Sequence, residues 1–378
     1  MSSSKIRVGI IGAGGWAKYG HIPALKTLEA FEIVAVCSRR KETAESLAAE
    51  LEIQHVFDDH HDLIAHPNVD LVVILAPGPE HSRLANAAIA GGLANAAIAG
   101  GKDVYSEWPL TTSTTESEEL LAMAEAKGVR HVVGLQRRFA PSARYVRDLV
   151  QQGYVGKIRG VRMSAGVDAF APRMSERHRW SIDAANFTHV LSIYGGHFGD
   201  LLFHTVGFPA QLTAVVENQF PSVTIEETGE SVPYTSPNEV MVVGTLEGGG
   251  LFSVQLEGAQ RHPTGLQIDI TGTDGVLCIT NPRGFENEDD NTIMGMAGGA
   301  MSFSTLPVPA EYESLAKTHL DASVQDVAYL YAAYGRDRQN GTSEASDFRD
   351  AVRMHHVIDQ ISSSSDEFFG RDNGTTSS

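Results

Sequence analysis

Short apolar runs along the first part of the chain alternate with segments that carry a helical pattern. The runs at 5–12, 31–37, 69–75, 103–106 and 130–134 predict strands. Helical segments lie between them, at 16–30, at 42–50, from 81 onward and at 117–127. This alternation predicts an α/β domain with a doubly wound parallel sheet over residues 1–134.

The pattern changes after residue 134, where strand-like segments follow one another across Gly-rich turns. The expected strands are 158–166, 210–218, 240–246, 251–256, 267–273 and 276–280, and the expected helices are 142–152, 322–340 and 345–361. Together they predict an α+β domain with a largely antiparallel sheet over 135–361. The Ser/Gly/Thr-rich segment 362–378 is expected to be frayed or disordered.

One nine-residue segment, Leu84–Gly92, is repeated without change as Leu93–Gly101. An α-helix turns by about 100° per residue, so nine extra residues rotate a continuing helix by about half a turn. Both copies therefore cannot present the same apolar face to a sheet, and one copy is expected to be displaced. We interpret the repeat as an insertion tolerated in a surface connection, with a functional insertion as the alternative.

Composition narrows the class of protein. A chain of 378 residues exceeds the usual size of one hydrophobic core, which agrees with two domains. The net charge of -18 argues against nucleic acid as a partner, because nucleic-acid binding needs a basic surface. No apolar run has the length of a membrane span and no signal peptide is recognisable, so a cytoplasmic protein is expected.

The two cysteines and the spacing of possible ligands bear on metal and disulfide chemistry. Cys37 and Cys278 both lie in apolar, strand-like segments, which predicts buried free thiols rather than a disulfide. No group of His, Cys and Asp residues has the spacing of metal ligands. The sequence therefore predicts no metal site.

A glycine-rich turn stands between the first strand and the first helix. Its sequence, Gly12-Ala-Gly-Gly-Trp-Ala17, has the G-x-G-x-x-A spacing of dinucleotide-binding turns. Gly12 permits the tight turn and Gly14 allows close approach of a pyrophosphate, while the helix N-terminus offers N–H groups. We therefore expect a Rossmann domain with cofactor contacts at Gly12, Gly14, Gly15, Trp16 and Ala17, the alternative being a turn without function.

The end of the second strand bears on the choice of cofactor. NAD sites usually carry an acidic residue there for the ribose 2′-hydroxyl, and this chain has none. Ser38, Arg39 and Arg40 offer instead a hydroxyl and two cations to a 2′-phosphate. NADP is predicted in preference to NAD, unless these cations only face solvent.

Several segments resemble the glucose-fructose oxidoreductase/inositol dehydrogenase family, and the resemblance covers nearly the whole chain. They are Gly9–Ala17, His21–Leu25, Ala76–His81, Glu107–Leu110, Gln136–Phe139 and Gly153–Ile158. Glu107-Trp108, where the dehydrogenases have Glu-Lys, is most similar to the branch that contains the galactose-pathway repressor of yeasts. The resemblance implies a Rossmann domain and a sheet domain that pairs with its copy in a homodimer or higher homo-oligomer.

The same resemblance implies a catalytic apparatus, which this chain keeps only in part. Trp108 stands in place of the family's lysine, and an indole N–H cannot perform general acid/base catalysis. His197 matches the catalytic histidine, whereas the aspartate one helical turn before it is replaced by Ile193. Tyr194 is the candidate substitute donor. The alternative for His197 is a structural role on a buried helix face.

Further candidates come from position and from the resemblance, and each is individually more often structural than catalytic. The other cofactor-contact candidates are Ala76, Pro77, His81, Glu107, Trp108 and Gln136. The substrate-contact candidates are Lys18, Arg137, His178, Arg179 and Asp200.

Two classes of function follow. In the first, the protein is an NAD(P)-dependent oxidoreductase that transfers hydride between nicotinamide and a sugar-like alcohol or ketone. In the second, it is a catalytically silent, cofactor-responsive regulatory protein. His197 favours the first class, which is the one expected, whereas Trp108 and Ile193 favour the second.

Overall fold

The structure, a computed structural model, describes residues 5–90, 101–284, 287–316 and 318–370. The chain divides into two compact units. The first unit comprises Met1–Gln136, Ala316–Leu320 and Val324–Arg353, and the second comprises Arg137–Leu315, Asp321–Ser323 and Met354–Ser378.

The first unit is built around a parallel sheet. Its strands are β1 (Ile6–Ile11), β2 (Phe31–Cys37), β3 (His55–Phe57), β4 (Leu71–Ile74), β5 (Asp103–Ser106) and β6 (His131–Val133). They lie in the order β3-β2-β1-β4-β5-β6, and every neighbouring pair is parallel. Every residue of β4 is buried, as expected for a central strand with helices on both faces. The predicted doubly wound parallel sheet is confirmed.

Helices connect these strands. They are α1 (Ile22–Lys26), α2 (Lys41–Leu51), α3 (His60–Ala65), α4 (His81–Ala90) and α5 (Thr114–Lys127), and a π-helical turn, Ala17–His21, leads into α1. Ser113 caps α5 by accepting a hydrogen bond from the Glu116 N–H, and Gly128 ends it in the left-handed region, at φ 64°. The first helix ends at Lys26 rather than at residue 30, because the turn at Thr27 leads directly into β2.

The duplicated segment begins within α4. Its first copy supplies the later residues of that helix, whereas residues 91–100, which hold most of the second copy, lie outside the described residues. The prediction that one copy is displaced falls on those residues. On the far side, Gly101 packs against Ile89 and the Lys102 N–H donates to the Ala88 carbonyl at 3.4 Å. The chain thus returns to the end of α4 before it enters β5.

The second unit contains two sheets. Its strands are β7 (Ile158–Gly166), β8 (Arg173–Met174), β9 (Pro209–Glu217), β10 (Ser222–Ile225), β11 (Ser231–Pro233), β12 (Glu239–Leu246), β13 (Leu251–Glu257), β14 (Gly265–Gly272), β15 (Gly275–Asn281), β16 (Thr292–Ala297) and β17 (Ser304–Thr305). The larger sheet has the order β17-β16-β15-β14-β7-β13-β12-β9, and only its β7–β13 pair is parallel. The smaller sheet has the order β11-β10-β8. The predicted α+β class with a largely antiparallel sheet is confirmed.

Helices α6 (Pro141–Gln151) and α7 (Val190–Val206) belong to this unit. Helix α7 packs on β12 and β13, and its apolar residues are buried along almost its whole length. Strand β12 alternates accordingly, because Val240 and Val242 are buried whereas Met241 and Val243 are exposed. The sheet therefore has one covered face and one open face.

The chain ends in α8 (Ala322–Asn340) and α9 (Phe348–Phe369). The expectation of disorder from residue 362 is wrong as far as Phe369, because the helix continues through that segment. The Ser364 and Ser365 hydroxyls accept hydrogen bonds from the Ala214 and Val216 N–H groups of β9, at 3.2 and 2.8 Å. Residues 371–378 lie outside the described part of the chain.

Both cysteines are free thiols, Cys37 buried and Cys278 half-buried. Burial raises the pKa of Cys37 to about 12 and that of Cys278 to about 11, so both thiols are protonated at neutral pH. In the described residues no helix combines the length and the apolar character that crossing a membrane requires.

Candidate functional site

The predicted cofactor residues lie along one edge of the parallel sheet. Because all six strands run in the same direction, the segments that follow their carboxyl ends share that edge. These segments are Gly12–Ala17 after β1, Ser38–Arg40 after β2, Ala76–His81 after β4, Glu107–Trp108 after β5 and Gln136 after β6.

Gly12 adopts a backbone conformation that only glycine fits. Its φ is +112°, and a Cβ at this position would lie 2.7 Å from the carbonyl oxygen of Leu75. Its N–H donates to the Cys37 carbonyl at 2.9 Å. By contrast, a Cβ on Gly14 or Gly15 would meet no described atom within 4 Å. The turn is thus tight at Gly12 and open over the next two glycines, as close approach of a pyrophosphate requires.

The residues after the turn pack largely on their own helix. The Trp16 ring covers Gly20, where a Cβ would lie 2.7 Å from ring atoms, and it meets the His21 ring edge-on at 5.6 Å. Ala17 is buried, whereas Lys18 is exposed. Trp16 and Ala17 therefore present backbone rather than side chain toward a phosphate.

The cations predicted to select NADP are available at the end of β2. Arg39 and Arg40 are exposed, and neither forms an ion pair with any described residue. Ser38 is half-buried, and its N–H donates to the Phe57 carbonyl at the end of β3. This leaves two unpaired guanidinium groups at the position where the ribose lies in Rossmann domains.

His81 joins two of the loops at this edge. It is almost completely buried, with Nδ1 2.7 Å from the Pro109 carbonyl oxygen and Nε2 2.8 Å from the Ala76 carbonyl oxygen. Both ring nitrogens are thus engaged with backbone carbonyls, and the cofactor contact of His81 stays a prediction. His81 fixes the loop after β4 against the segment that contains Trp108, which is also buried.

Glu107 belongs to a buried polar network. Its Oε1 accepts from the Tyr105 hydroxyl at 3.0 Å and lies 3.1 Å from His21 Nε2, while His21 Nδ1 lies 2.8 Å from the Tyr331 hydroxyl. Burial, and then the Glu107 charge, raise the pKa values of both tyrosines. A Cβ on Gly134 would collide with the Glu107 carboxylate. The network thus holds Glu107 inside the unit, so its predicted cofactor contact is not a free carboxylate.

Gln136 offers a buried acceptor at the end of β6. The residue is 2% exposed, and its Oε1 has no hydrogen-bond partner among the described residues. A buried acceptor without a partner costs free energy that a ligand N–H can recover. The orphaned oxygen lies on the same edge of the parallel sheet as the open glycine turn.

In the second unit, α7 carries the candidate catalytic residues. His189 caps the helix, because burial lowers its pKa to about 4 and its neutral ring accepts the Ser192 N–H at 3.2 Å. His197 is 4% exposed, and Tyr194, three residues earlier, lies on the same helical face. The Tyr194 ring meets Phe170 edge-on at 5.7 Å. The positive φ of Phe170, 64°, marks a constrained aromatic residue beside this face.

Asp200, predicted to contact substrate, forms a buried ion pair in this structure. Its side chain is fully buried and accepts from the Arg138 guanidinium through both oxygens, with Nε 2.8 Å from Oδ2. The pair thus joins the segment Gln136–Phe139 to helix α7. Arg138 was missed by sequence reasoning, since nothing local separates its role from that of Arg137, which is also buried.

Two further substrate candidates, His178 and Arg179, lie in a surface turn, Glu176–Ser181. Arg179 donates to Glu176 at 2.8 Å and to Glu230 at 2.6 Å, and its contact with substrate stays a prediction. His178 is exposed beside it.

One group of possible metal ligands occurs in the described residues. Ligand atoms of Asp59, His60 and His61 all lie within 4.8 Å of one another. Asp59 already caps α3 by accepting the His61 N–H, and its own side chain and that of His61 face solvent. We assign no metal site to this group.

Two family models match this chain, one in each half. Residues 6–135 match the family described as "Oxidoreductase family, NAD-binding Rossmann fold" (GFO_IDH_MocA), and residues 141–281 match "Gal80p, C-terminal domain". The galactose/lactose metabolism regulatory protein GAL80 of Saccharomyces cerevisiae is 26% identical over 79% of this chain and 71% of its own length. Dehydrogenase aclE of Aspergillus oryzae is 29% identical over 74% of this chain and 78% of its own.

The solved structures agree on the fold. Levoglucosan dehydrogenase, in a complex with NADH and L-sorbose, superposes with a TM-score of 0.82 over 97% of this chain and 98% of its own, at 20% identity. A likeness at that identity shows the fold alone.

Breaking the Arg138–Asp200 pair should destabilise the protein. Arg138→Ala leaves a buried carboxylate without its partner, so we expect a loss of about 3–5 kcal/mol in the free energy of unfolding. Urea unfolding of the variant measures it. Arg283→Ala is the control, because Arg283 is exposed and pairs at the surface with Glu288 at 3.3 Å. A loss in Arg138→Ala no larger than in this control would contradict the structural role of Asp200.

Proposed function

The chain belongs to the oxidoreductase family with an NAD-binding Rossmann fold, and on this basis we propose that it is an NAD(P)-dependent oxidoreductase of sugar-like alcohols or ketones. The observation that carries the proposal is the turn at Gly12, which is tight at the first glycine and open over Gly14 and Gly15. We also propose a cytoplasmic location, because both cysteines are free thiols.

The cofactor would lie along the carboxyl edge of the parallel sheet. The Gly14 and Gly15 backbone would receive the pyrophosphate, and Arg39 and Arg40 would receive the 2′-phosphate of NADP. The orphaned Oε1 of Gln136 would accept from the carboxamide N–H of the nicotinamide. When bound, the nicotinamide supplies hydride transfer at its C4 position.

We propose that a residue of the second unit transfers the proton. Oxidation of an alcohol releases the hydroxyl proton, and we assign its transfer to His197, with Tyr194 beside it on the same face of α7. Trp108 lacks a transferable proton, so the ammonium that dehydrogenases of this family place there has no counterpart at that position.

A second function is favoured by those same departures from the family. Trp108 and Ile193 replace a lysine and an aspartate, and the regulatory protein GAL80 is among the similar proteins. In this alternative the chain binds the dinucleotide and responds to it without turnover. Measured turnover on sugars and sugar acids separates the two.

NADPH is expected to bind more tightly than NADH, because the cations after β2 have no carboxylate partner and can pair with a 2′-phosphate. Calorimetric titration with both dinucleotides measures the preference. The double substitution Arg39→Ala and Arg40→Ala should reduce the preference for NADPH over NADH by about tenfold or more and leave NADH affinity nearly unchanged. Equal affinities in the wild-type protein would refute the preference.

His197→Ala should lower turnover by about two to four orders of magnitude without weakening NADPH binding, since it removes an acid/base group and not a cofactor contact. Steady-state rates on a sugar panel give the result. His204→Ala, on the same helix and 3.2 Å from Arg147, is the control.

Unchanged turnover in His197→Ala would mean that the proton is handled elsewhere. A wild-type protein that binds NADPH but turns over nothing, together with a Trp108→Lys variant that gains activity, would decide for the regulatory function.

We also propose a homodimer formed through the open face of the larger sheet. Met241, Val243 and Leu251 are each more than half exposed on that face, and a second copy would cover them. Light scattering should return about twice 40.6 kDa. Met241→Asp together with Val243→Asp should shift it to the monomer, and a wild-type monomer at micromolar concentration would overturn the proposal.

A further inference from the structure

A cluster of charged side chains lies at the adenosine end of the proposed cofactor site. Arg39 follows β2, His60 follows β3, and Glu80 and Arg83 follow β4, so all four stand at the carboxyl edge of the parallel sheet. Sequence reasoning assigned no role to His60, Glu80 or Arg83. Glu80 ends the short turn after β4, and Arg83 lies in the first turn of α4.

Arg83 connects the loops after β3 and β4. Its Nη2 and Nε donate to Glu80 Oε2 at 2.6 and 3.1 Å, and its Nη1 lies 3.0 Å from His60 Nε2. Burial, and then the His61 and Arg83 charges, lower the pKa of His60, so its neutral Nε2 accepts this hydrogen bond. The guanidinium is therefore held at a fixed place on the edge although its side chain is 56% exposed.

The Glu80 carboxylate lies among cations. The hydrogen bond from Arg83 is the main cause that lowers the pKa of Glu80, and the charges of Arg83 and Arg39 lower it further. An exposed ion pair of this kind contributes little to stability, about 0–1 kcal/mol. A small anion with more charge and more acceptor oxygens than a carboxylate would compete for the same guanidinium. A phosphate monoester has both properties.

We propose that Arg83 is a ligand of the 2′-phosphate of NADP together with Arg39, and that Glu80 competes with the phosphate for Arg83. Arg83 and Arg39 would then approach the phosphate from the loops after two different strands. This inference rests on the proposed cofactor site and adds to it a specificity determinant outside the segment that follows β2.

The test compares NADPH and NADH affinities of Arg83→Gln and Glu80→Gln with those of the wild-type protein. Arg83→Gln should weaken NADPH binding by about tenfold, the loss of a charged hydrogen bond, and change NADH binding by less than about twofold. Glu80→Gln should strengthen NADPH binding, because it removes the competitor.

The chain offers a matched control pair in the same unit. Arg336 donates to Glu344 at 2.9 Å, and both side chains are about as exposed as those of Arg83 and Glu80. Arg336→Gln and Glu344→Gln should leave both affinities unchanged. Arg83→Gln should also weaken the binding of adenosine 2′,5′-bisphosphate and leave the binding of adenosine 5′-monophosphate unchanged, since the two probes differ only in the 2′-phosphate.

Three outcomes overturn the inference. NADPH affinity that is unchanged in Arg83→Gln removes Arg83 from the site while leaving the proposed function intact. Equal losses for NADPH and NADH assign Arg83 a structural role. Weaker NADH binding in Glu80→Gln would make Glu80 a ligand of the ribose hydroxyls instead of a competitor. Failure of the wild-type protein to bind either dinucleotide would reject the proposed function itself.

Discussion

The first unit depends on the close approach of three backbones at Gly12. The Gly12 N–H donates to the carbonyl of Cys37 at the end of β2, and its missing Cβ leaves room for Leu75 after β4. Any side chain here would push apart the ends of the central strands, and its φ of +112° adds strain of its own. The same point is where Gly14 and Gly15 open toward solvent. Close packing of the sheet and access for a phosphate are therefore set by one turn.

The second unit depends on α7 in a comparable way. The helix is apolar almost throughout and packs on β12 and β13, while Asp200 anchors it to Arg138. That anchoring places Tyr194 and His197 on one face of a helix held in place by burial and by a buried ion pair. A group that moves a proton needs such a fixed position, because a loosely held acid or base seldom meets its substrate in a productive geometry. The same rigidity would serve a binding protein equally well, so turnover and not fold separates the two functions.

Local patterns predicted most of the fold. The strands of the first sheet and the glycine turn could be found because their signals lie within a few neighbouring residues, as in β4 and Gly12–Ala17. The long-range contacts around the site could not be predicted in this way. His21 meets Tyr331, and Arg138 meets Asp200, across long stretches of chain that no periodicity links. The contact of Arg83 with His60 could not be predicted either, because no local pattern links the two residues.

Two further differences have physical causes of the same kind. Residues 362–369 have the composition of a tail but form helix, because hydroxyls at Ser364 and Ser365 receive N–H groups from β9. His81 and Glu107 match family segments that suggested ligand contact, yet tertiary packing gives them partners inside the first unit. These two polar residues of matching motifs therefore support the segments that form the sheet edge.

Amide hydrogen exchange with and without NADPH tests the central claim, that a dinucleotide binds at the carboxyl edge of the parallel sheet. We expect NADPH to slow exchange in 12–17 and 76–81, because bound phosphate and adenosine would shield those amides and restrain the loops that carry them. The antiparallel strands β14 and β15 should show no change and serve as the internal reference. Protection confined to the second unit, or no protection at Gly12–Ala17 under conditions where NADPH is bound, would contradict the claim.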